Sequence, residues 1–273
     1  MRIIFTCILL FALANIGFSQ RENFLSRSAF GPMVGGSYYI GDLNKYGHFQ
    51  NTHFATGLMY RYYLNSRIEL RANLTYAKVS AADANSSNPI QQQRNLSFES
   101  NIFEFSTGIE FNYFNYKLGD QKYFFSPYLF IDIGLFRMNP MTEYNGEMIE
   151  LQPLGTEGQG SSLSSKSPYN LTQFVIPFGL GFKLNMGPRV GLSVEYGIRK
   201  TFTDYLDDVS GFFVDTDILA IENGNIAARL SDRSFGDFEA FGPRGNDQTK
   251  DWYSVFGLTL TFPLGKEGKC YYK

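Results

Sequence analysis

Between residues 67 and 78 apolar and polar side chains alternate almost without a break. Ile68, Leu70, Ala72, Leu74 and Tyr76 share one face; Glu69, Arg71, Asn73 and Thr75 share the other. Successive strand side chains point to opposite faces, so one face suits hydrocarbon and the other a wet, charged interior. The same reading predicts strands at 29–41, 53–64, 67–79, 98–114, 123–137, 171–185, 188–200 and 252–263. In the fourth, Phe103, Phe105, Ile109, Phe111 and Tyr113 oppose Glu104, Ser106, Gly108, Glu110 and Asn112. In the seventh, Val190, Leu192, Val194, Tyr196 and Ile198 oppose Ser193, Glu195, Gly197 and Arg199. The last sets Phe256, Leu258, Leu260 and Phe262 against Gly257, Thr259 and Thr261.

The connections sort themselves by length. Those at 65–66, 117–122 and 185–188 are short, whereas 42–52, 80–97, 138–170 and 201–251 are long and polar. Short and long alternate strictly, as in outer-membrane barrels with an even number of strands. The expected fold is all-β: an eight-stranded antiparallel up-and-down transmembrane β-barrel with long outer loops and both termini in the periplasm. Aromatic residues gather at the strand ends: Tyr38, Tyr39, Tyr62, Tyr63, Tyr113, Phe114, Tyr123, Phe124, Tyr196, Trp252 and Tyr253. They are expected to form the two interfacial girdles.

Targeting fits this fold. Residues 1–19 carry one charge, Arg2, then an apolar run from Ile3 to Ala14 and small residues at Gly17 and Ser19. That is the pattern of a signal peptide cleaved before Gln20, and the run is too short for a spanning helix of about 20 residues. Barrel sequence then fills 20–264, and 265–273 is expected to be a periplasmic tail. Cys7 lies within the apolar run, so Cys270 is the one cysteine of the mature chain. It either stays a free thiol or pairs with another chain. A net charge of −2 argues against a nucleic-acid partner, because phosphate recognition needs a basic face.

The inward faces carry Arg61, Arg71, Lys183 and Arg199 together with Glu69, Glu104, Glu110, Asp132 and Glu195. An eight-stranded barrel is just wide enough for its own side chains. These charges are therefore expected to pair and fill the lumen, since unpaired buried charge is costly. Catalytic chemistry has few candidates. The two histidines, His48 and His53, lie near Asp42 in the first outer loop, and no nucleophile is marked beside them. The fourth loop holds Asp204, Asp207, Asp208, Asp215 and Asp217. Clustered carboxylates can bind calcium, but the spacing is not that of an EF-hand, and solvated acidic residues explain it more simply. Further on, 217–221 and 225–231 have helical character with Asp or Asn caps near their starts, so this loop is expected to fold, capping the mouth or receiving a partner. No cofactor or metal is expected.

Three stretches carry a family resemblance. They are Gly35-Gly36-Ser37-Tyr38-Tyr39-Ile40-Gly41-Asp42-Leu43-Asn44, Thr201-Phe202-Thr203-Asp204-Tyr205-Leu206-Asp207-Asp208-Val209-Ser210-Gly211, and Arg244-Gly245-Asn246-Asp247 with Asp251-Trp252-Tyr253. Together they resemble the PorG-like outer-membrane proteins of Bacteroidota, associated with the type IX secretion system. The resemblance implies a non-enzymatic barrel that ties the outer membrane to a periplasmic ring containing a lipoprotein; it brings no catalytic residues. The tail offers a contact. Pro263 cannot donate to a sheet ladder, so the last strand should end there. Cys270, Tyr271 and Tyr272 then project as the expected partner-binding residues, a disulfide from Cys270 being one form of the contact. The competing readings are a small porin, a surface-binding barrel using 138–170 and 201–251, and an enzyme built around His48 or His53.

Overall fold

The computed structural model describes residues 24–45, 47–234 and 240–265. The signal peptide and the tail residues Cys270, Tyr271 and Tyr272 lie outside the described residues. The described residues form ten strands: β1 Ser28–Ile40, β2 His53–Tyr63, β3 Ile68–Ala82, β4 Ser97–Asn112, β5 Phe125–Arg137, β6 Pro140–Tyr144, β7 Glu147–Glu150, β8 Thr172–Gly187, β9 Val190–Thr201 and β10 Trp252–Leu264. Eight of them form a closed antiparallel barrel in the order β1-β2-β3-β4-β5-β8-β9-β10. Pairing of β1 with β10, from Ser28↔Leu264 to Ile40↔Trp252, joins the first and last strands. Closure leaves these eight strands without a free edge over their paired length. The starts and ends of the eight strands fall within three residues of the expected ones, the largest difference being β3, which runs to Ala82.

β6 and β7 were not expected. They form a hairpin that leaves the barrel above β5 and pairs with β4 at Ser100↔Pro140 and Glu99↔Met141. Asn145 and Gly146 turn it with φ of 55° and 84°. Positive φ at both central residues is the geometry that Asn-Gly favours in two-residue hairpin loops. Three short helices decorate the long connections: α1 Pro89–Arg94, α2 Thr216–Glu222 and α3 Asn225–Ser231. Asp215 caps α2 by accepting from the amides of Asp217 and Ile218. No described helix is long and apolar enough to cross a membrane.

Over most of each strand the wall obeys the alternation. Leu70 and Leu74 are exposed outside while Glu69, Arg71, Asn73 and Thr75 are buried inside. The outward apolar stretch of β3, Ile68 to Tyr76, is about nine residues long, the length a tilted transmembrane strand requires. Towards the long loops the pattern inverts. Ala77, Val79 and Ala81 are buried, while Lys78 and Ser80 face outwards. The strands therefore continue past the apolar band and enclose an apolar core. Tyr39, Ile102, Phe136, Val175 and Tyr253 supply it from the strands, and Leu43, Leu96, Leu151, Leu206 and Leu230 from the four long connections. These connections fold together as a cap over the loop end of the barrel.

The aromatic girdles need correction. Tyr38, Tyr39, Tyr63 and Tyr253 are buried at 0–1% exposure and do not face lipid. Tyr63 and Tyr253 share the inward parity of Arg61 and Val255, and Tyr38 is covered by Phe49 of the first loop, ring centroids 5.0 Å apart. The outer rings are made by others. Tyr113, Phe114, Phe125 and Phe182 form a chain of contacts at the turn end. Phe174, Phe202, Phe178 and Trp252 pair at the loop end.

Candidate functional site

All nine lumen charges meet inside the barrel. They come from six of the eight barrel strands: Arg61 on β2, Glu69 and Arg71 on β3, Glu104 and Glu110 on β4, Asp132 on β5, Lys183 on β8, Glu195 and Arg199 on β9. Alternation brings them in, and the pairing registers set their heights. Glu110 is the hub. Its carboxylate accepts from Arg61 Nε at 3.1 Å and Arg71 Nη1 at 3.4 Å, and contacts Lys183 Nζ on the far wall. Lys183 also donates to Glu69 at 2.9 Å. Arg71 grips Glu195 with two bonds of 2.8 and 2.9 Å, and its Nε lies 3.3 Å from Asp132. Arg199 and Glu104 pair at 3.4 Å nearer the cap.

Neutral groups complete the network, among them Asn73 and Asn112, which the alternation also turns inwards. Tyr128 donates to Glu195 at 3.0 Å, Tyr253 to Glu104 at 2.7 Å, Asn73 to Asp132 at 3.0 Å and Asn112 to Glu69 at 2.6 Å. The Arg71 guanidinium lies over the Phe130 ring at 4.0 Å. Inward glycines make room for these rings. A Cβ on Gly181 would stand 2.5 Å from the Tyr128 ring, and one on Gly197 would stand 2.8 Å from Phe130. The cavity bordering Arg71, Asn73, Glu195 and Arg199 measures about 20 Å³, room for about one water. Opposite charges from six strands thus cross-brace the wall and fill the lumen at this level.

The acidic fourth loop is a second polar cluster, and it is buried. Asp204, Asp207 and Asp208 are 1–4% exposed, which overturns their reading as solvated surface acids. Each carboxylate has donors within the cap. Asp207 accepts from the Val209 amide and from the Tyr39 hydroxyl, which also reaches Asp251 at 2.8 Å. Asp208 accepts from Thr156 and Tyr169, and Asp204 from Ser210. Arg244 ties the cluster together: it donates to Glu157 at 3.0 Å and to the backbone carbonyls of Ser231 and Asp208. Glu157 in turn accepts from the amides of Ser210 and Gly211. Arg94 and Asp83 form a bidentate pair beside it, both bonds 2.7 Å.

Burial governs the titration of these loop acids. It pushes Asp208 up to about 6 despite the nearby Arg244, and Asp204 likewise to about 6. Asp207 is raised well above the carboxylate range by burial and by the neighbouring Asp251. Among the described residues no group of three or more metal-ligating side chains converges. The histidines go to separate partners. His48 lies against Tyr38 at 3.1 Å, and His53, which opens β2 and is not a loop residue, meets Ser80 at 2.6 Å. Asp42 instead accepts from the Asn246 amide at 2.7 Å.

A closed eight-stranded wall, apolar outside and charged within, defines an outer-membrane-type β-barrel. The chain belongs to the family described as Domain of unknown function (DUF6089), which it matches over residues 3–229. No curated protein matches the sequence. Among solved structures it is similar to Neisserial surface protein A, with 10% identity and a TM-score of 0.43 over 88% of this chain and 98% of that one. It is also similar to the attachment invasion locus protein Ail of Yersinia pestis, 11% identical with a TM-score of 0.40 over 87% and 97% of the two chains. OprG from Pseudomonas aeruginosa matches at 8% identity and 0.40 over 88% and 99%.

Proposed function

We propose that this protein is a non-enzymatic outer-membrane scaffold that anchors or organises periplasmic ring components of the type IX secretion machinery. One observation carries the scaffold reading: ion pairs fill the barrel within the apolar band, and a folded cap covers its loop end. Such an interior leaves a solute no wide path, which favours a scaffold over the small porin. Function then falls to the two ends. The secretion role is supported by the three motif stretches. Two of them, 201–211 and 244–253, supply Asp204, Asp207, Asp208, Arg244 and Asp251 to the cap core. In this reading both termini are periplasmic, and Cys270, Tyr271 and Tyr272 of the tail meet the ring lipoprotein.

The test is gentle extraction of the native outer membrane, affinity capture of this chain and mass spectrometry of what accompanies it. Recovery of a periplasmic ring lipoprotein is expected, with less recovered after removal of 266–273. Capture of the intact barrel without any ring component would reject the secretion role. A Cys270→Ser variant that leaves a crosslinked species unchanged on non-reducing gels would remove the disulfide. Planar-bilayer recordings separate the porin reading, for which steady ohmic conductance would be required.

A further inference from the structure

The outer wall carries a groove of about 650 Å³ running across β2, β3, β4 and β5. Leu58, Leu74, Phe103, Phe105 and Leu135 line it, each more than half exposed, and Arg137 stands at its loop end. The register fixes the level of the arginine. Tyr76 pairs with Phe103, Phe103 with Arg137, and Arg137 with Thr172, so these four residues form one row across the wall.

This row is where the apolar band ends. Below it the outward positions of β4 and β5 are Phe105 and Leu135; above it β3 and β4 present Lys78 and Glu99, paired at 2.8 Å. Tyr76 turns its hydroxyl away from the band to Asn101, 3.0 Å distant, as an interfacial tyrosine does. Arg137 faces outwards and is exposed, and its guanidinium has no ion-pair or hydrogen-bond partner among the described residues. A cation at the boundary of a bilayer attracts anionic headgroups, and guanidinium matches phosphate with two parallel bonds.

We propose that this groove is a binding site for a membrane lipid whose phosphate-bearing headgroup carries a net negative charge, its acyl chain along Leu58, Leu74, Phe105 and Leu135 and its phosphate on Arg137. Thr172, exposed beside Arg137 in the register, supplies a hydroxyl donor to the same headgroup. The site lies in the leaflet at the loop end and needs only that the barrel stand in a bilayer; the secretion role does not enter.

Native mass spectrometry of the purified full chain in neutral detergent tests it, with equal amounts of dipalmitoyl phosphatidylglycerol and phosphatidylcholine. One phosphatidylglycerol is expected to be retained with about tenfold preference, the worth of one charge-assisted contact. Arg137→Gln should abolish the preference, Arg137→Lys should keep part of it, and Leu135→Trp, which fills the groove, should weaken both lipids. Both positions are on the exposed wall, and heat-modifiable gel migration confirms folding of each variant. Equal retention of the two lipids by the natural chain, or an undiminished preference in Arg137→Gln, overturns the proposal. Unchanged binding in Leu135→Trp overturns the placement of the acyl chain.

Discussion

The lumen and the cap both bury carboxylates, yet they hold them in opposite ways. In the lumen four cations face five carboxylates, and each acid lies beside an arginine or lysine from another strand. In the cap, Asp207 and Asp251 share one tyrosine hydroxyl, and backbone amides and hydroxyls serve most of the rest. The difference follows from the backbone. A strand in a closed wall spends its amides on the ladder, so only side chains are left to meet an inward charge. Loop amides are free to point at a carboxylate. Several cap acids are stabilised towards the protonated form by burial. The lumen is therefore a set of cross-braces, and the cap is a polar core that holds four loops together.

The sharpest way to break this comparison is at Glu110, which meets three cations. Glu110→Gln should destabilise the barrel by about 5 kcal/mol, the upper end for breaking a buried pair, because Arg61, Arg71 and Lys183 lose their shared partner. Urea titration in detergent, followed by gel migration, checks this, and adding Lys183→Met should restore part of the loss. Arg244→Met attacks the cap instead. It should cost about 3–4 kcal/mol of local stability, read as faster hydrogen exchange at 203–211 and 151–159. Barrel migration should stay unchanged. If exchange speeds up throughout the strands, cap and barrel form one cooperative unit.

Acidity tests the cap by itself. Asp204 and Asp208 rise from an ordinary 3.8 to about 6, so the folded cap binds protons that the unfolded chain has released. Their stabilising effect is complete below about pH 4 and is lost as pH rises through about 6, up to about 3 kcal/mol for the fully buried Asp208. Amide exchange at 203–211 should therefore be slower at pH 5 than at pH 7.5, after correction for intrinsic rates. Asp208→Asn should flatten that dependence. The smallest effect is expected at the β6–β7 turn. Gly146→Ala meets no neighbour within 4 Å but must hold φ at 84°, costing about 1 kcal/mol confined to the hairpin. Exchange at 141–150 reads it.

The lumen network was legible because a strand has only two faces. Once Ile68, Leu70 and Leu74 are assigned to lipid, Glu69 and Arg71 have nowhere to go but in. The same parity would have placed Tyr63 and Tyr253 inside, which the grouping of aromatics by strand end obscured. The β6–β7 hairpin also carried its signal, Asn145-Gly146, inside a connection read by length alone. The cap carried none of this kind. Run together in sequence, Asp204, Asp207 and Asp208 look like a solvated acidic loop. Their partners Tyr39, Thr156, Tyr169 and Arg244 are 36 or more residues away from the aspartates they meet.

The sequence by itself determined the strands, their count around the barrel, the sorting of short turns from long loops, and the set of charges turned inwards. Those depend on a period of two and on chain length, both local quantities. Tertiary structure alone decided which acid meets which base, that four loops close into one core, and that Arg137 ends a groove without a partner among the described residues. These depend on register and on contacts across the barrel, where neighbours in space are far apart along the chain.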